Sequence, residues 1–154
     1  MILYINTTAH DEIIIALYPD VSAVGDRKKL LLSPLSKLSL SKAIARQKIK
    51  AVKNQAEKLV PAISKLLQKN GVKLSALKKI IVAPRGGSFT SLRIGVITAN
   101  ALAYALKIPV EAEPVIGADG KIIKIKTKKF GSYSLVEPSY DREPNIGVSK
   151  KPKL

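Results

Sequence analysis

Few residues of this chain suit chemistry, and the densest group is Arg85-Gly86-Gly87-Ser88-Phe89-Thr90, with Arg93 one helical turn further on. Paired glycines reach backbone angles closed to other residues, and hydroxyls just after them can cap a helix. Such a loop presents free N–H groups to an anion, although many helix entries look alike with nothing bound. No Lys follows the glycines, so the phosphate loop G-x-x-x-x-G-K-[ST] is absent. Asn6-Thr7-Thr8 reads either as a phosphate-contacting turn or as the plain turn of a hairpin. Asp11-Glu12 are paired carboxylates without a partner base, and His10 beside them is the single histidine. The chain has no cysteine. Disulfides, thiolate chemistry and Cys-based metal sites therefore have no residues to build them, and a single His leaves no His cluster for zinc and no obvious proton shuttle. The expectation is no catalytic residue, no metal and no cofactor.

Charge supplies the second signal. Lys and Arg number 27 against 11 Asp and Glu, a net +16 at a pI near 10.1. Residues 1–26 hold four acids and no Lys or Arg, whereas 27–79 hold fifteen bases and only Glu57. A concentrated field of that sign attracts polyanions, nucleic acid foremost. The same lysines also suit a merely solvated surface, and composition leaves both readings open.

The 154 residues make one domain's length, with 46% hydrophobic residues to fill a core. Residues 2–5 and 13–18 are short β-branched runs that predict an antiparallel hairpin, and 29–32 suggests a further strand. Over 41–70 the spacing turns helical: Ala45, Ile49, Val52, Ala56, Leu59, Ile63 and Leu66 form one apolar stripe, with Lys58, Lys65 and Lys69 opposite. Pro61 predicts a kink or a break near 57–60, and Gly71 a C-terminal cap. Residues 80–83 predict a buried strand, 89–106 a second helix, and 108–110 the start of another strand. Asp119-Gly120 marks a hairpin turn, 130–136 one more strand, and 149–154 a frayed tail. No run reaches the ~20 apolar residues of a membrane span, and residues 1–5 lack a basic lead, so a cytoplasmic protein is expected.

The second helix carries its own argument. Leu92, Val96, Ala99, Ala103 and Leu106 share one face, Ile94, Ile97, Ala101 and Tyr104 the opposite one, and Arg93 is its only charge. A helix apolar all round must be covered all round. Either the first helix covers the outer face or a partner does.

Read as a whole, the string from Ala83 to Gly95 resembles the G-x-G-x-G-S-F-T-G-L-R-I-G segment of the TsaB family, which serves bacterial tRNA threonylcarbamoyladenosine synthesis. Asn6-Thr7-Thr8, Leu59-Val60-Pro61, Leu102 to Val110 and Pro138-Ser139-Tyr140-Asp141-Arg142 add matches to the same family. Three features depart from it: Asn6 replaces an acid, Asn54-Gln55 stand where relatives have a His, and only residues 111–137 separate the two matching regions. Those departures argue against nucleotide binding between two lobes.

The resemblance implies an α/β fold, one ribonuclease-H-like lobe of the actin-like ATPase superfamily with a mixed sheet and two main helices. The lobe is expected over 1–112, a small β extension over 113–137 and a basic tail over 138–154. It implies a non-catalytic subunit that binds and supports TsaD, which modifies the adenosine beside the anticodon of tRNA. Family members are thought to pair by packing helices into a bundle, which makes Ile94, Ile97, Ala101 and Tyr104 the candidate partner face. Gly86, Gly87, Ser88, Phe89, Thr90 and Arg93 form the motif loop, and Lys58, Lys65 and Lys69 are candidate tRNA contacts. TsaE is a further candidate partner, and a homodimer is open to the chain in isolation. Tyr140 and Arg142 are expected to dock the tail. The rival reading is an independent basic nucleic-acid-binding module; a peptidase lacks the residues it would need.

Overall fold

The computed structural model describes residues 1–20, 43–116, 122–123, 125, 127–130 and 133–140. The expected strand at 29–32, the Asp119-Gly120 turn, Arg142 and the tail 149–154 lie outside them.

Strands β1 (Ile2–Asn6) and β2 (Glu12–Tyr18) pair antiparallel around the polar residues between them, with Ile5 opposite Ile15. Then β3 (Ala45–Lys50) adds antiparallel to β2, while β4 (Lys79–Val82) and β5 (Val110–Ala112) run parallel to β1. The result is one mixed sheet in the order β3-β2-β1-β4-β5. Helices α1 (Gln55–Lys69) and α2 (Phe89–Leu106) connect β3 to β4 and β4 to β5. Alternation along the strands turns Leu3, Ile5, Ile13, Ile15, Leu17, Ile80, Val82 and Val110 onto one face. There they meet Leu59, Ile63 and Leu66 of α1 and Val96, Ala99 and Ala103 of α2 in a single buried core. Ile2, Ala16 and Tyr18 form a smaller cluster on the other face.

The expected helix over 41–70 is corrected. Residues 45–50 are an edge strand, and the helix begins only at Gln55. Ala45, Gln47 and Ile49 are half-buried while Arg46, Lys48 and Lys50 are exposed, the period of two that defines a strand. Val52 and Ala56, placed on the apolar stripe, are exposed. The helix also runs unbroken through Pro61, which is exposed; the interruption falls at 51–54, outside the helix. Gly71, at φ +64°, ends it as expected: its N–H meets the Gln68 carbonyl, and that of Val72 meets Leu67. These two bonds are the Schellman pattern.

Beyond β5, β6 (Val115–Ile116) pairs with β7 (Ile122–Ile123) as the hairpin signal required. The single strand expected over 130–136 is instead a tight antiparallel pair, β8 (Thr127–Phe130) and β9 (Tyr133–Val136), with Phe130 opposite Tyr133. Gly131-Ser132 in the middle of that run is a two-residue hairpin signal that the single-strand reading passed over. The Asn100 side-chain amide donates to the Val136 carbonyl (2.9 Å) and accepts from its N–H (3.0 Å). Ser134 Oγ does the same with both backbone groups of Val110. These bonds sew the second hairpin to α2 and β5.

Candidate functional site

The glycine loop leads straight into α2. Gly86 and Gly87 take φ of +88° and +89°, and Ser88 caps the helix by accepting from the Ser91 N–H at 3.2 Å. The loop's neighbour is the turn after β1. Asn6 Oδ1 accepts from the N–H (2.9 Å) and hydroxyl (2.8 Å) of Thr8, and the buried Thr7 hydroxyl donates to the Ser91 carbonyl at 2.6 Å. A Cβ on Gly87 would land on the Thr8 carbonyl, and one on Gly95 would land on Thr7 Oγ1. Both glycines are therefore needed where the first turn meets α2, a packing reason that requires no bound anion.

Around the start of α2, Phe89 stacks on Tyr140 with centroids 4.5 Å apart, and the Arg93 guanidinium lies 4.2 Å from the Phe89 centroid. Arg93 also donates to the Tyr140 hydroxyl at 3.1 Å, and the Ser139 N–H donates to Pro84 O at 2.7 Å. Tyr140 docks the chain as expected. Among the described residues, Arg93 caps an aromatic stack.

Further along α2 the two faces separate as the sequence requires. Leu92, Val96, Ala99 and Ala103 are buried, whereas Ile97 is 63% and Tyr104 67% exposed, with Ala101 exposed between them. Ile94 differs from the other three: it is half-buried and packs on the core. Helix α1 lies beside α2 and leaves that outer strip open, with Tyr133 edge-on to Tyr104 at 5.4 Å and itself 45% exposed. By length and composition α2 would suffice to cross a membrane, correcting the expectation that no segment does; its apolarity comes from many small residues instead of one long run. A separate apolar groove of about 570 Å³ lies between the helices, lined by Val60, Leu67, Leu74 and Leu102.

Three other placements complete the surface. Lys58, Lys65 and Lys69 are all exposed, and Lys58 Nζ donates to the Lys50 carbonyl at 3.0 Å. Glu12 is not without a base: it pairs with Lys48 across the β2–β3 ladder at 2.7 Å. His10 is exposed.

Two polar groups, the buried Gln55 and the half-buried Glu113, escaped the sequence reading. Gln55, at the head of α1, reaches back to donate to the Ala9 carbonyl at 2.7 Å and holds the β1–β2 turn. Glu113, just past β5, accepts from the Tyr4 hydroxyl at 2.8 Å, which in turn accepts from Asn6 Nδ2 at 3.0 Å. Burial raises the Glu113 carboxyl above its ordinary range, partly offset by the Tyr4 bond. The Tyr4 hydroxyl is raised by burial first and by the Glu113 charge second. Only contacts across 46 and 109 positions reveal these residues; no local pattern marks them.

Comparisons with known proteins bear on this geometry. The family model described as "TsaD: tRNA N6-adenosine threonylcarbamoyltransferase" matches residues 40–114. The tRNA threonylcarbamoyladenosine biosynthesis protein TsaB of Bacillus subtilis (strain 168) is 42% identical over 60 residues, 39% of this chain and 26% of that protein. YeaZ from Pseudomonas aeruginosa superposes with a TM-score of 0.55 at 25% identity, covering 75% of this chain and 44% of YeaZ. A second solved structure, titled an uncharacterized protein with similarity to peptidase YeaZ from Pseudomonas aeruginosa, gives the same values. The chain thus spans about a quarter of the curated relative and under half of the solved ones. The mixed sheet with its two helices is the actin-like ATPase type of fold. The chain is similar to TsaB in sequence over those 60 residues and to YeaZ in fold.

Proposed function

We propose that the chain serves tRNA threonylcarbamoyladenosine synthesis as a non-catalytic, TsaB-type subunit that binds and supports TsaD. The observation that carries this reading is the exposed strip of Ile97, Ala101 and Tyr104 on α2, extended by Tyr133. Apolar side chains aligned on one helix face and left in water suit a partner helix. Ala101 and Ala105, both exposed, keep that side of α2 slim enough for close approach. Of the carboxylates, half-buried Glu113 accepts from Tyr4 and Glu12 of β2 pairs with Lys48. TsaE is a further partner of such a complex, tRNA its substrate, and the cytoplasm its place; homodimers through the same strip are the form proposed for the chain alone.

The test mixes the purified chain with TsaD and follows size-exclusion elution together with transfer to tRNA. Co-elution, with transfer raised by the added chain, is expected. A chain that leaves TsaD's elution and activity untouched would overturn the reading.

A further inference from the structure

Strand β3 ends the sheet order β3-β2-β1-β4-β5, so the sheet pairs only one of its two edges. Just beyond it the Ala51 N–H donates to the Asp11 carbonyl at 2.7 Å, in step with the pairing of Lys50 with Glu12. Bonded positions in an antiparallel ladder recur at every second residue, so Ala45, Gln47 and Ile49 turn their backbone groups toward β2. Those of Arg46, Lys48 and Lys50 point away from the sheet. The Lys50 carbonyl shows that direction, accepting from Lys58 Nζ at 3.0 Å. Among the described residues, the outward N–H and C=O groups of Arg46 and Lys48 have no partner. An open groove of about 610 Å³ borders them, lined by residues 45–47 of β3 and by Lys65, Leu66, Gln68 and Lys69 of α1. Consecutive strand residues point to opposite faces, so a groove that touches all three runs along the edge itself.

The side chains around this edge share one sign. Arg46 and Lys50 are exposed on the sheet face away from α1, and Lys65 and Lys69 are exposed on α1. Cations therefore flank the edge from opposite faces. Acids there are few: residues 27–79 contain only Glu57, and Glu12 is taken by Lys48 at 2.7 Å.

We propose that the β3 edge takes up an extended, acidic segment of a partner protein as an added strand. Such a strand satisfies the outward backbone groups, the mode of recognition known as β-augmentation. Its side chains alternate between the two faces, and each face offers cations, so acidic residues fit at successive positions. A second copy of β3 fits poorly. Two such edges paired antiparallel set Arg46, Lys48 and Lys50 against the same three residues, and like charges directly opposite destabilise. Nucleic acid brings phosphates but no row of alternating donors and acceptors for the edge. Basic side chains on an edge also discourage indiscriminate pairing, which narrows the match to an acidic strand. The helical expectation over 41–70 concealed this edge. It is independent of the TsaD reading, which rests on α2.

The experiment titrates the full chain into a fluorescein-labelled peptide of about eight residues, made of Thr, Val and successive Glu, and follows anisotropy. Saturable binding is expected. N-methylation of every amide in the peptide should weaken it about tenfold or more at unchanged charge. N-methylation of alternate amides leaves one edge of the peptide intact and should change binding by less than about threefold. Gln in place of every Glu should weaken it about tenfold or more. On the protein, Arg46→Pro removes an outward N–H at a sheet edge, where proline is tolerated, while Arg46→Ala removes the same charge and keeps the donor. The Pro variant should bind about fivefold or more weakly than the Ala variant, with circular dichroism showing both folded. Should the Pro variant unfold, the N-methylated peptides decide, since they need no variant. Equal binding of the plain and fully N-methylated peptides would reduce the contact to charge and overturn the proposal. Equal binding of the Gln peptide would overturn the acidic partner. A wild-type chain that binds a tRNA transcript but not the peptide, or that self-associates through this edge until Arg46→Pro is introduced, would overturn it as well.

Discussion

Gly86, Gly87 and Gly95 look alike in the motif and differ in what surrounds them, which makes a graded prediction. Each of the first two sits at positive φ, but a Cβ meets nothing at Gly86 and the Thr8 carbonyl at Gly87. Gly86→Ala should cost about 1 kcal/mol of backbone strain. Gly95→Ala, which forces Thr7 aside, should cost about 1–3 kcal/mol, and Gly87→Ala more than either, since backbone must move. Urea denaturation of the three variants checks the order. Glu113 makes the pH prediction at this scale. Its carboxyl is raised above the ordinary 4.5 by burial, so the folded state holds that proton more tightly than the unfolded chain. The stability this contributes is complete below pH 4.5 and lost as pH rises through the folded value. Wild type should therefore lose stability between about pH 4.5 and neutrality relative to Glu113→Gln, which keeps an acceptor for Tyr4 without a charge. Paired denaturation curves at the two ends of that range read the difference; an unchanged gap between the proteins would contradict it.

At the scale of elements, Asn100 holds β9 to α2 through both polar atoms of its amide. Asn100→Ala leaves the N–H and carbonyl of buried Val136 unpaired and should cost about 1–3 kcal/mol, with faster hydrogen exchange confined first to β9. Pro61 points the other way. It lies inside α1 and exposed, so Pro61→Ala restores a helical N–H and should raise stability by about 1–3 kcal/mol in a thermal melt read at constant pH. These two elements also show what the sequence carries. Strands β1, β2, β4 and helix α2 were legible because apolar side chains alternate or recur over enough residues to fix the period. The stretch 45–50 was not: Ala45 and Ile49 are four apart, a spacing that satisfies periods of both 2 and 3.6, and the strand nature shows only in its pairing with β2. The reversal between β8 and β9 was legible in Gly131-Ser132, a two-residue hairpin signal, whereas Gln55 and Glu113 hold contacts far along the chain that no local window contains.

On the scale of the molecule, one sheet buries one face of α2 and leaves the other in water, and the partner argument depends on that division. Its sequence basis was strong for Ile97, Ala101 and Tyr104, whose helical spacing opposes Leu92, Val96 and Ala99. It was weaker for Ile94, which lies at the edge between the faces and turns inward. The chain's first helix lines an apolar groove with Val60 and Leu67 on one side and carries Lys65 and Lys69 toward β3 on the other. The decisive measurement compares Ala101→Arg with Ala99→Arg by circular dichroism melts and by co-purification with TsaD. Ala101 is exposed, so its variant should melt within about 0.5 kcal/mol of wild type, as surface changes do, yet lose TsaD because an unpaired charge buried at an interface costs several kcal/mol. Ala99 is 0% exposed against the sheet, and its variant should not fold. A folded Ala101→Arg that retains TsaD would contradict the account.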